Sequence, residues 1–567
     1  MLGLSQADWL VMIIYLAATT YFGVMAGRGL SGIADFFMPR RFGKAMMLMH
    51  TFGTGTHSDQ AVNVAAKTFT NGVSGIWYQW LWLFVSPFYW LIAPVMRRFR
   101  AVTTADVFEY RFNRSVAMLF SVVGILQLMV AMGVMLKGSG KVIVACTGNL
   151  LSADWAIWAM TVIVVIYGMA GGLAAAIITD FFQGILTIVF SFMLMPLVLH
   201  ATGGIAGLKA SITDPAMFSL VAPAEIGLFY IIIISLNGLV GIVAQPHTMG
   251  NCAAGRTEMD GRVGFMFGSF IKRICTVGWT LTGLAAVAYF AGQAMDPEQV
   301  FGAVAREFLP RVSHGMLGLF LAALLASVMS SCDSFMIASA ALFTENIYRP
   351  LRPNRDQKHY LAIGRWATLL VVVGGLIFAY LFPGVLKGLE IFWMIPPMMG
   401  IAFWLGLFWR GMTPAGAWAS TLAGFAVWWL TTRAWFVAFL AGLSGLEGLK
   451  LVILKGGRPE IYLPWQMVFS LAGGVLAGLL VSLFTRNIPK ERLDNFYALV
   501  ATPVQPGEQT EKPCTLPAGT VPVKRRRLFP GTELEILVPS RTSVLGFLAG
   551  LLVAILNIGF VFWLLRR

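Results

Sequence analysis

The stretch His50-Thr-Phe-Gly-Thr-Gly-Thr-His-Ser-Asp-Gln-Ala61 decides the fold, because it interrupts an apolar segment of membrane-spanning length with glycines and polar side chains. Lipid offers no water to exposed backbone groups, so a broken helix is tolerated only where protein or a polar cavity receives those groups. A second interruption, Ser235-Leu-Asn-Gly-Leu and then Gln245-Pro-His247, follows five apolar spans later. Paired broken helices at matching positions of two halves are typical of inverted-repeat transporters.

Composition places the chain in a membrane. Of its 567 residues 58% are hydrophobic and only 12% are charged, and the mean hydropathy is +0.76. Soluble domains carry about 25% charged residues, so we predict an all-α polytopic membrane protein. About fourteen segments have the length and apolarity of a transmembrane helix. Their predicted limits are 7–27, 46–69, 73–95, 115–137, 154–171, 173–199, 224–247, 264–291, 315–343, 361–382, 389–409, 414–434, 464–485 and 542–565.

We attribute the net charge of +15 to the topology of the chain in the membrane rather than to nucleic-acid binding. The basic residues cluster in alternate loops, around Arg28, Arg97, Arg256, Arg349 and Lys524-Arg-Arg-Arg527. This distribution follows the positive-inside rule and predicts a multi-pass protein of the plasma or inner membrane with its N-terminus outside. We predict a transmembrane core over 1–485, a polar cytoplasmic linker over 486–541 and a last membrane helix within 542–567.

The helix Leu321-Ala-Ala-Leu-Leu-Ala-Ser-Val-Met-Ser-Ser-Cys-Asp-Ser-Phe-Met336 carries an unusual set of oxygens in its apolar middle. Serine hydroxyls often bond to their own helix carbonyls, but a carboxylate such as that of Asp333 cannot be satisfied in that way. Several oxygens on neighbouring faces give a hard cation a partly built coordination shell. We therefore expect an ion site beside this helix.

Four stretches resemble the sodium/solute symporter family, whose members include sodium–glucose and sodium–proline cotransporters. The most specific is Tyr167-Gly-Met-Ala-Gly-Gly-Leu-Ala-Ala-Ala-Ile-Ile-Thr-Asp-Phe-Phe-Gln183. The others are Ala326-Ser-Val-Met-Ser-Ser-Cys-Asp-Ser334 with Asn346-Ile-Tyr348, Gln245-Pro-His247, and Thr103-Thr-Ala-Asp-Val-Phe-Glu-Tyr-Arg-Phe112. The resemblance implies a leucine-transporter-like fold with a five-plus-five inverted repeat, over about 46–247 and 224–434.

The resemblance also implies a sodium site between spans two and nine. Backbone oxygens near His57, Gln60 and Ser327 and the hydroxyls of Ser330 and Ser331 correspond to that site.

Family members with a second sodium use positions that match Asp180, Ser330, Asp333 and Ser334. His57, Gln60 and Asp333 depart from the family pattern, so a second sodium and a proton site remain alternatives here. In the proton alternative His57, Asp59 and Asp333 take up the proton.

The solute pocket is expected near the membrane midplane, between the two broken helices and their neighbours. Gln79 stands where sugar and sialic-acid carriers place a polar contact, although the aromatic residues around it also suit an interfacial belt. Asn237 at the second interruption, Gln245 and Lys137 are the other candidates. Asn237 has the alternative of capping the broken helix, and Lys137 that of reaching the outer surface; in the pocket it would favour an anionic solute.

The function predicted from the sequence is sodium-coupled uptake of a small polar organic solute by a protein that is not an enzyme. Sodium is the coupling ion, no cofactor is implied, and the family expectation is a monomeric transport unit. Proton coupling and a non-transporting membrane sensor are the alternatives. Relatives carry sugars, amino acids, sialic acids, monocarboxylates and vitamins, so the resemblance leaves the solute open.

Overall fold

A computed structural model describes residues 3–27, 36–168, 172–222, 225–443, 447–455, 457–486, 488–505, 507–508 and 512–566. Arg28 of the first basic loop and residues 169–171 of the Tyr167–Gln183 stretch lie outside these residues. The described chain is almost entirely helical. Its one two-stranded sheet pairs β1 (Val452–Lys455) antiparallel with β2 (Arg458–Ile461).

The first half of the chain builds helices α1 to α11. They are α1 Gln6–Gly27, α2 Lys44–Gly55, α3 Ser58–Asn71, α4 Trp77–Trp80, α5 Ser86–Arg98, α6 Thr104–Arg111, α7 Arg114–Cys146, α8 Ala153–Gly168, α9 Leu173–Phe192, α10 Met195–Ala201 and α11 Gly204–Ser211. Short 3-10 helices over Gly72–Ile76 and Pro215–Phe218 join some of them.

The second half builds helices α12 to α24. They are α12 Leu228–Ile242, α13 Thr248–Ala253, α14 Glu258–Tyr289, α15 Val300–Val312, α16 Met316–Ala341, α17 Arg349–Leu351, α18 Gln357–Leu381, α19 Val385–Phe408, α20 Pro414–Thr431, α21 Ala434–Ala441, α22 Leu463–Leu483, α23 Lys490–Ala501 and α24 Arg541–Arg566. A π-helix over Leu342–Tyr348 follows α16, and 3-10 turns lie at Pro297–Gln299 and Glu447–Leu449.

Eight helices in the described part of the chain are long and apolar enough to cross a membrane, or nine if α20 and α21, bent by 74°, form one span. The predicted count of fourteen is larger partly because broken spans divide into pieces below spanning length. Each predicted segment contains a helix, while the count of fourteen and the five-plus-five repeat remain predictions.

The first predicted interruption is a helix break, and so is the Gln245-Pro-His247 part of the second, whereas the Ser235-Leu-Asn-Gly-Leu part lies within α12. The first separates α2 from α3 at Thr56 and His57, and the second separates α12 from α13 over 243–247. The long helix α14 packs closely along α2: a Cβ added to Gly268 would lie 2.6 Å from the carbonyl oxygen of Leu48. The absence of a side chain at Gly268 therefore lets α14 reach the first break.

The linker over 486–541 is docked onto the protein rather than extended away from it. Helix α23 buries Leu493, Phe496 and Leu499. Further along, the Arg100 guanidinium lies 2.5 Å from the Glu508 carboxylate. Burial alone would raise the pKa of Glu508, but hydrogen bonding to Arg100 lowers this pKa below its ordinary value. The linker is thus held to the rest of the protein by packing and by ion pairs with Arg100 and Arg410.

Candidate functional site

The first helix break offers backbone oxygens to its surroundings. The Gly53 carbonyl accepts bonds from the Thr56 amide and from the Ser331 hydroxyl of α16, each over 3.2 Å. The Gly55 carbonyl accepts a 3.1 Å bond from the Gln60 side-chain amide and a second bond from the ammonium group of Lys272 on α14. Helix ends leave such carbonyls without intrahelical donors, so other helices complete this break.

A buried cluster of oxygens lies where α2, α9 and α16 meet. The Ser330 hydroxyl donates to one carboxylate oxygen of Asp180, and His50 Nδ1 lies 2.6 Å from the other. The hydroxyls of Thr54 and Ser334 are 2.8 Å apart beside them. All five side chains are buried. A carboxylate with several hydroxyls is the donor set that a hard monovalent cation prefers.

Gly53 allows this cluster to form. A Cβ at this position would collide with the Ser330 hydroxyl and would lie 3.5 Å from Asp180. Any larger residue would therefore push α2 away from α16 and separate the backbone carbonyls from the hydroxyls.

The residues expected to bind sodium fall into two neighbouring groups. Ser327, Ser330 and Ser331 lie together on α16, and Ser331 bonds to the Ser327 carbonyl over 3.3 Å as well as to Gly53. His57 and Gln60 lie at the break itself, but their side chains bond to each other over 3.0 Å.

His57 also contacts the carboxylate of Asp59, which is fully buried. The break thus carries a second His–Asp pair beside the one formed by His50 and Asp180. Asp333, expected at the second ion site, is buried on the same helix as Ser330.

A cavity with about 790 Å³ of space not filled by protein atoms opens beside the break. It lies between the two broken helices, α5, α7, α14, α16 and α19, and one wall is aromatic. Buried polar atoms without a hydrogen-bond partner among the described residues are concentrated here. They are atoms of Thr51, Asp59, Gln60, Gln79, His247, Asn251 and Arg273. Since buried polar groups are normally paired, this set indicates a site for a polar ligand or for ordered water.

Two of the four candidate solute contacts line this cavity. Gln79 is buried, and its side-chain oxygen has no partner in the described chain. Gln245, at the second break, also lines the cavity. The aromatic neighbours of Gln79 are buried in the protein, so this segment is not an exposed interfacial belt.

The expectation for Asn237 was wrong in its position. Asn237 lies inside α12, and its side-chain amide donates a 2.8 Å bond to the Trp393 carbonyl of α19. Pro397, four residues after Trp393, has no N–H to donate to that carbonyl. Asn237 therefore supplies a bond that the proline removes, and it borders a side cavity with Gln245.

Of the two alternatives for Lys137, the contact with the solute is not supported, because Lys137 does not line the cavity beside the break. Its ammonium group donates to the carbonyls of Ala379, over 3.2 Å, and of Phe382, at the C-terminal end of α18. These carbonyls lack helical donors and carry the negative end of the helix dipole. Lys137 consequently stabilises a helix terminus instead of lining the cavity.

Sequence reasoning missed Lys272 and Arg273, which contribute the positive charge of the cavity wall. The available signal was the presence of two adjacent basic residues in the middle of a membrane-length helix, since such charges are rare away from functional sites. His50 and Thr54 were also missed. Their role depends on contacts with Asp180 and Ser334, which lie more than a hundred residues away in sequence.

A second, smaller cavity lies on the other side of the Thr54–Ser334 contact. It has about 400 Å³ of unfilled space and is lined by Phe37, Val102 and Ser334 among others. His50 borders this second cavity, and His247 borders both. The buried oxygen cluster and the His247 ring thus lie between the cavity beside the break and the second cavity.

Broken membrane helices around a central polar cavity, with a buried oxygen cluster at one break, define a secondary-transporter type of architecture. The chain belongs to the sodium:solute symporter family, whose model matches residues 36–424. The family resemblance seen in the sequence is therefore confirmed.

Characterised relatives cover most of the chain. It is 27% identical over 503 residues to the osmoregulated proline transporter OpuE of Bacillus subtilis, covering 84% of this chain and 94% of that protein. It is also 27% identical to the sodium/pantothenate symporter of Haemophilus influenzae, covering 73% and 81% of the two chains. The protein is accordingly a membrane transporter of the sodium-coupled symport class.

A solved structure has the same fold. The substrate-bound, outward-open form of a Na⁺-coupled sialic acid symporter matches with a TM-score of 0.66 at 17% identity, over 85% of this chain and 98% of that one. The two proteins therefore share the arrangement of their helices.

Proposed function

We propose that the protein imports a small polar organic solute together with sodium by alternating access. The observation that carries this proposal is the cluster of Asp180, Ser330, Ser331 and the Gly53 carbonyl. It bridges a broken helix to two unbroken ones. A cation bound there holds these helices together and so favours one conformation over the other. Such differential affinity is what couples an ion to a conformational change.

Sodium binding is assigned to the oxygens at the first break and on α16. The Ser330 and Ser331 hydroxyls, the Ser327 backbone oxygen and the backbone near His57 and Gln60 form the first site. Asp180, Ser334 and Asp333 belong to a second ion site close by. The contact of Ser331 with Gly53 supports the first site, and the contact of Ser330 with Asp180 supports a second site that adjoins it.

One sodium ion supplies enough free energy for uphill transport. Entry down about 100 mV releases roughly 2.3 kcal/mol. A tenfold concentration gradient adds about 1.4 kcal/mol. Together these terms sustain roughly 500-fold accumulation of a neutral solute.

Proton coupling is the second candidate, and two His–Asp pairs, one of them fully buried, favour it. His50 contacts Asp180, and His57 contacts Asp59, both at the first break. Histidine is the side chain whose charge changes most readily near neutral pH. A proton taken up by either pair would replace sodium at the same break.

For the whole chain we propose fourteen spans, the five-plus-five repeat and an outside N-terminus, with the linker over 486–541 on the cytoplasmic side. Basic residues that contact the docked linker, such as Arg100 with Glu508, support this orientation. The transport unit is proposed to be a monomer in the plasma or inner membrane.

Uptake into proteoliposomes tests these proposals. The purified chain is assayed with labelled proline, pantothenate, sialic acid and glucose, which are solutes named in its relatives. An inward sodium gradient is compared with an inward proton gradient in sodium-free buffer. Accumulation driven by sodium is the expected result. Accumulation driven by protons alone supports the second candidate, and no accumulation of any solute under either gradient contradicts symport.

A further inference from the structure

Helix α14 forms one wall of the cavity beside the first break, and this wall carries two consecutive cationic residues. Lys272 and Arg273 line the cavity and are only 7% and 2% exposed. Each bonds to neutral oxygens: Lys272 to the Gly55 carbonyl, and Arg273 to the Gln79 carbonyl and, over 3.4 Å, to the Ser269 hydroxyl. The Arg273 Nε has no partner among the described residues.

Neither of these two cations forms an ion pair with another residue that the structure describes. Within the part of the chain that the structure describes, no carboxylate oxygen lies within 4.0 Å of either side-chain cation. The one carboxylate on the cavity wall, Asp59, is engaged by His57. With neutral imidazoles, the wall carries one more positive than negative charge. Buried charges are normally paired, so this excess of positive charge favours a bound ligand that carries a negative charge.

The remaining lining defines what surrounds that anion. Tyr89 and Phe265 stack 4.1 Å apart next to Arg273 on the same side of the cavity. Trp82, Phe392 and Trp393 add apolar surface elsewhere on its wall. An ammonium and a guanidinium with free N–H groups suit a carboxylate, and the aromatic surface suits a compact apolar body.

We propose that the transported solute is a small monocarboxylate without a cationic group, and that Lys272 and Arg273 bind its carboxylate. This inference rests on the proposed symport and specifies its substrate class. Through the Gly55 carbonyl, Lys272 also links the bound solute to the helix break at which sodium is proposed to bind. Solute and sodium therefore act on the same break.

Matched pairs of ligands test this inference on the purified full-length chain in detergent. The pairs are lactate and lactamide, benzoate and benzamide, and pantothenate and the neutral alcohol panthenol. Each ligand is titrated in a thermal-shift assay with and without sodium. We expect at least one carboxylate to stabilise the protein and its neutral partner to bind at least tenfold more weakly. Binding by none of the carboxylates, or equal binding within every pair, would overturn the proposal.

Substitution of Lys272 assigns the contact. Lys272→Gln keeps a hydrogen-bond donor and removes the charge, and it should weaken carboxylate binding at least tenfold. Lys141→Gln is the matched control, because Lys141 pairs with Asp296 outside the cavity over 2.6 Å. If Lys272→Gln instead binds sodium more tightly and binds carboxylates as before, the Lys272 ammonium occupies the place of a sodium ion. This result would refute its role in carboxylate binding. Should Lys272→Gln fail to fold, the ligand pairs on the unmodified chain still decide the substrate class.

Uptake with the same ligands separates this inference from symport itself. Sodium-driven uptake that prefers a neutral partner would remove the anion proposal and leave symport standing. Carboxylate binding without sodium-driven uptake would support the anion proposal and contradict symport.

Discussion

At both helix breaks, backbone carbonyls lose their helical hydrogen-bond donors, and the two breaks replace these donors in different ways. At the first break, the carbonyls of Gly53 and Gly55 accept bonds from Thr56 and Gln60 of their own segment, and each accepts a second bond from another helix, through Ser331 and Lys272. At the second, the Ile242 carbonyl accepts bonds from the Gln245 amide, over 3.3 Å, and from the Thr248 hydroxyl, over 2.9 Å. The second break is thus largely satisfied by its own chain.

Because of this difference, the first break is better suited than the second to change its hydrogen bonding when a ligand binds. A break that takes part of its donors from neighbouring helices changes its hydrogen bonding whenever those helices move or an ion enters between them. A break satisfied locally keeps its geometry during the same movements. We therefore expect ion coupling to act through the first break, and the predictions below test that assignment.

Removing the charge of Asp180 should have the largest effect. Asp180→Asn withdraws the one carboxylate that contacts both His50 and Ser330. We expect the sodium concentration for half-maximal uptake to rise at least 100-fold, which corresponds to about 2.7 kcal/mol. Sodium titration of uptake in proteoliposomes measures this change. Asp154→Asn, at an exposed position in the first turn of α8, is the control, and an unchanged sodium requirement in Asp180→Asn would exclude a charged ligand here.

The second-largest effect is expected when one methyl group is added beside the first break, and the same change beside the second break should not affect sodium binding. In Gly53→Ala the new Cβ meets the Ser330 hydroxyl, whereas in Gly241→Ala it meets Pro396 at 3.0 Å. Overpacking costs about 1–3 kcal/mol. We expect Gly53→Ala to raise the sodium requirement roughly thirtyfold and Gly241→Ala to leave it unchanged, as measured by sodium-dependent thermal stabilisation. Equal effects on sodium binding would contradict the distinction between the breaks.

Removing a single hydroxyl should have a smaller effect. Ser330→Ala is expected to raise the sodium concentration for half-maximal uptake by about tenfold or more, since one lost ligand oxygen is assigned at least about 1.4 kcal/mol. Ser339→Ala is the matched control on the same helix, because among the described residues the Ser339 hydroxyl bonds to the Met336 carbonyl of its own helix alone, over 3.0 Å. An unaltered sodium dependence in Ser330→Ala would remove this residue from the site.

The smallest effect is expected at the second break. Thr248→Val keeps the shape of the side chain and removes its bond to the Ile242 carbonyl. The free energy of unfolding should fall by about 1 kcal/mol, with no change in sodium dependence. Thermal denaturation and sodium titration of the same sample measure the two quantities. A changed sodium dependence would show that the second break also takes part in coupling.

Much of the architecture was predictable because it depends on local sequence. Apolar segments of about twenty residues have few alternatives to helix in lipid, and the glycine and proline signals located both breaks. The serine-rich helix was identified for the same reason. The exact role of Asn237 was not predictable, since it depends on a proline in α19 that is distant in sequence.

By itself the sequence determined the membrane class, the family, the two breaks and the helix that carries Ser327, Ser330 and Ser331. Tertiary structure alone decided which charges meet. It turned Lys137 toward the end of α18, brought His50 to Asp180 and placed Lys272 at the first break. The physical reason is range: helix formation and insertion follow from neighbouring residues, whereas pairing of a buried charge depends on which distant helix packs against it.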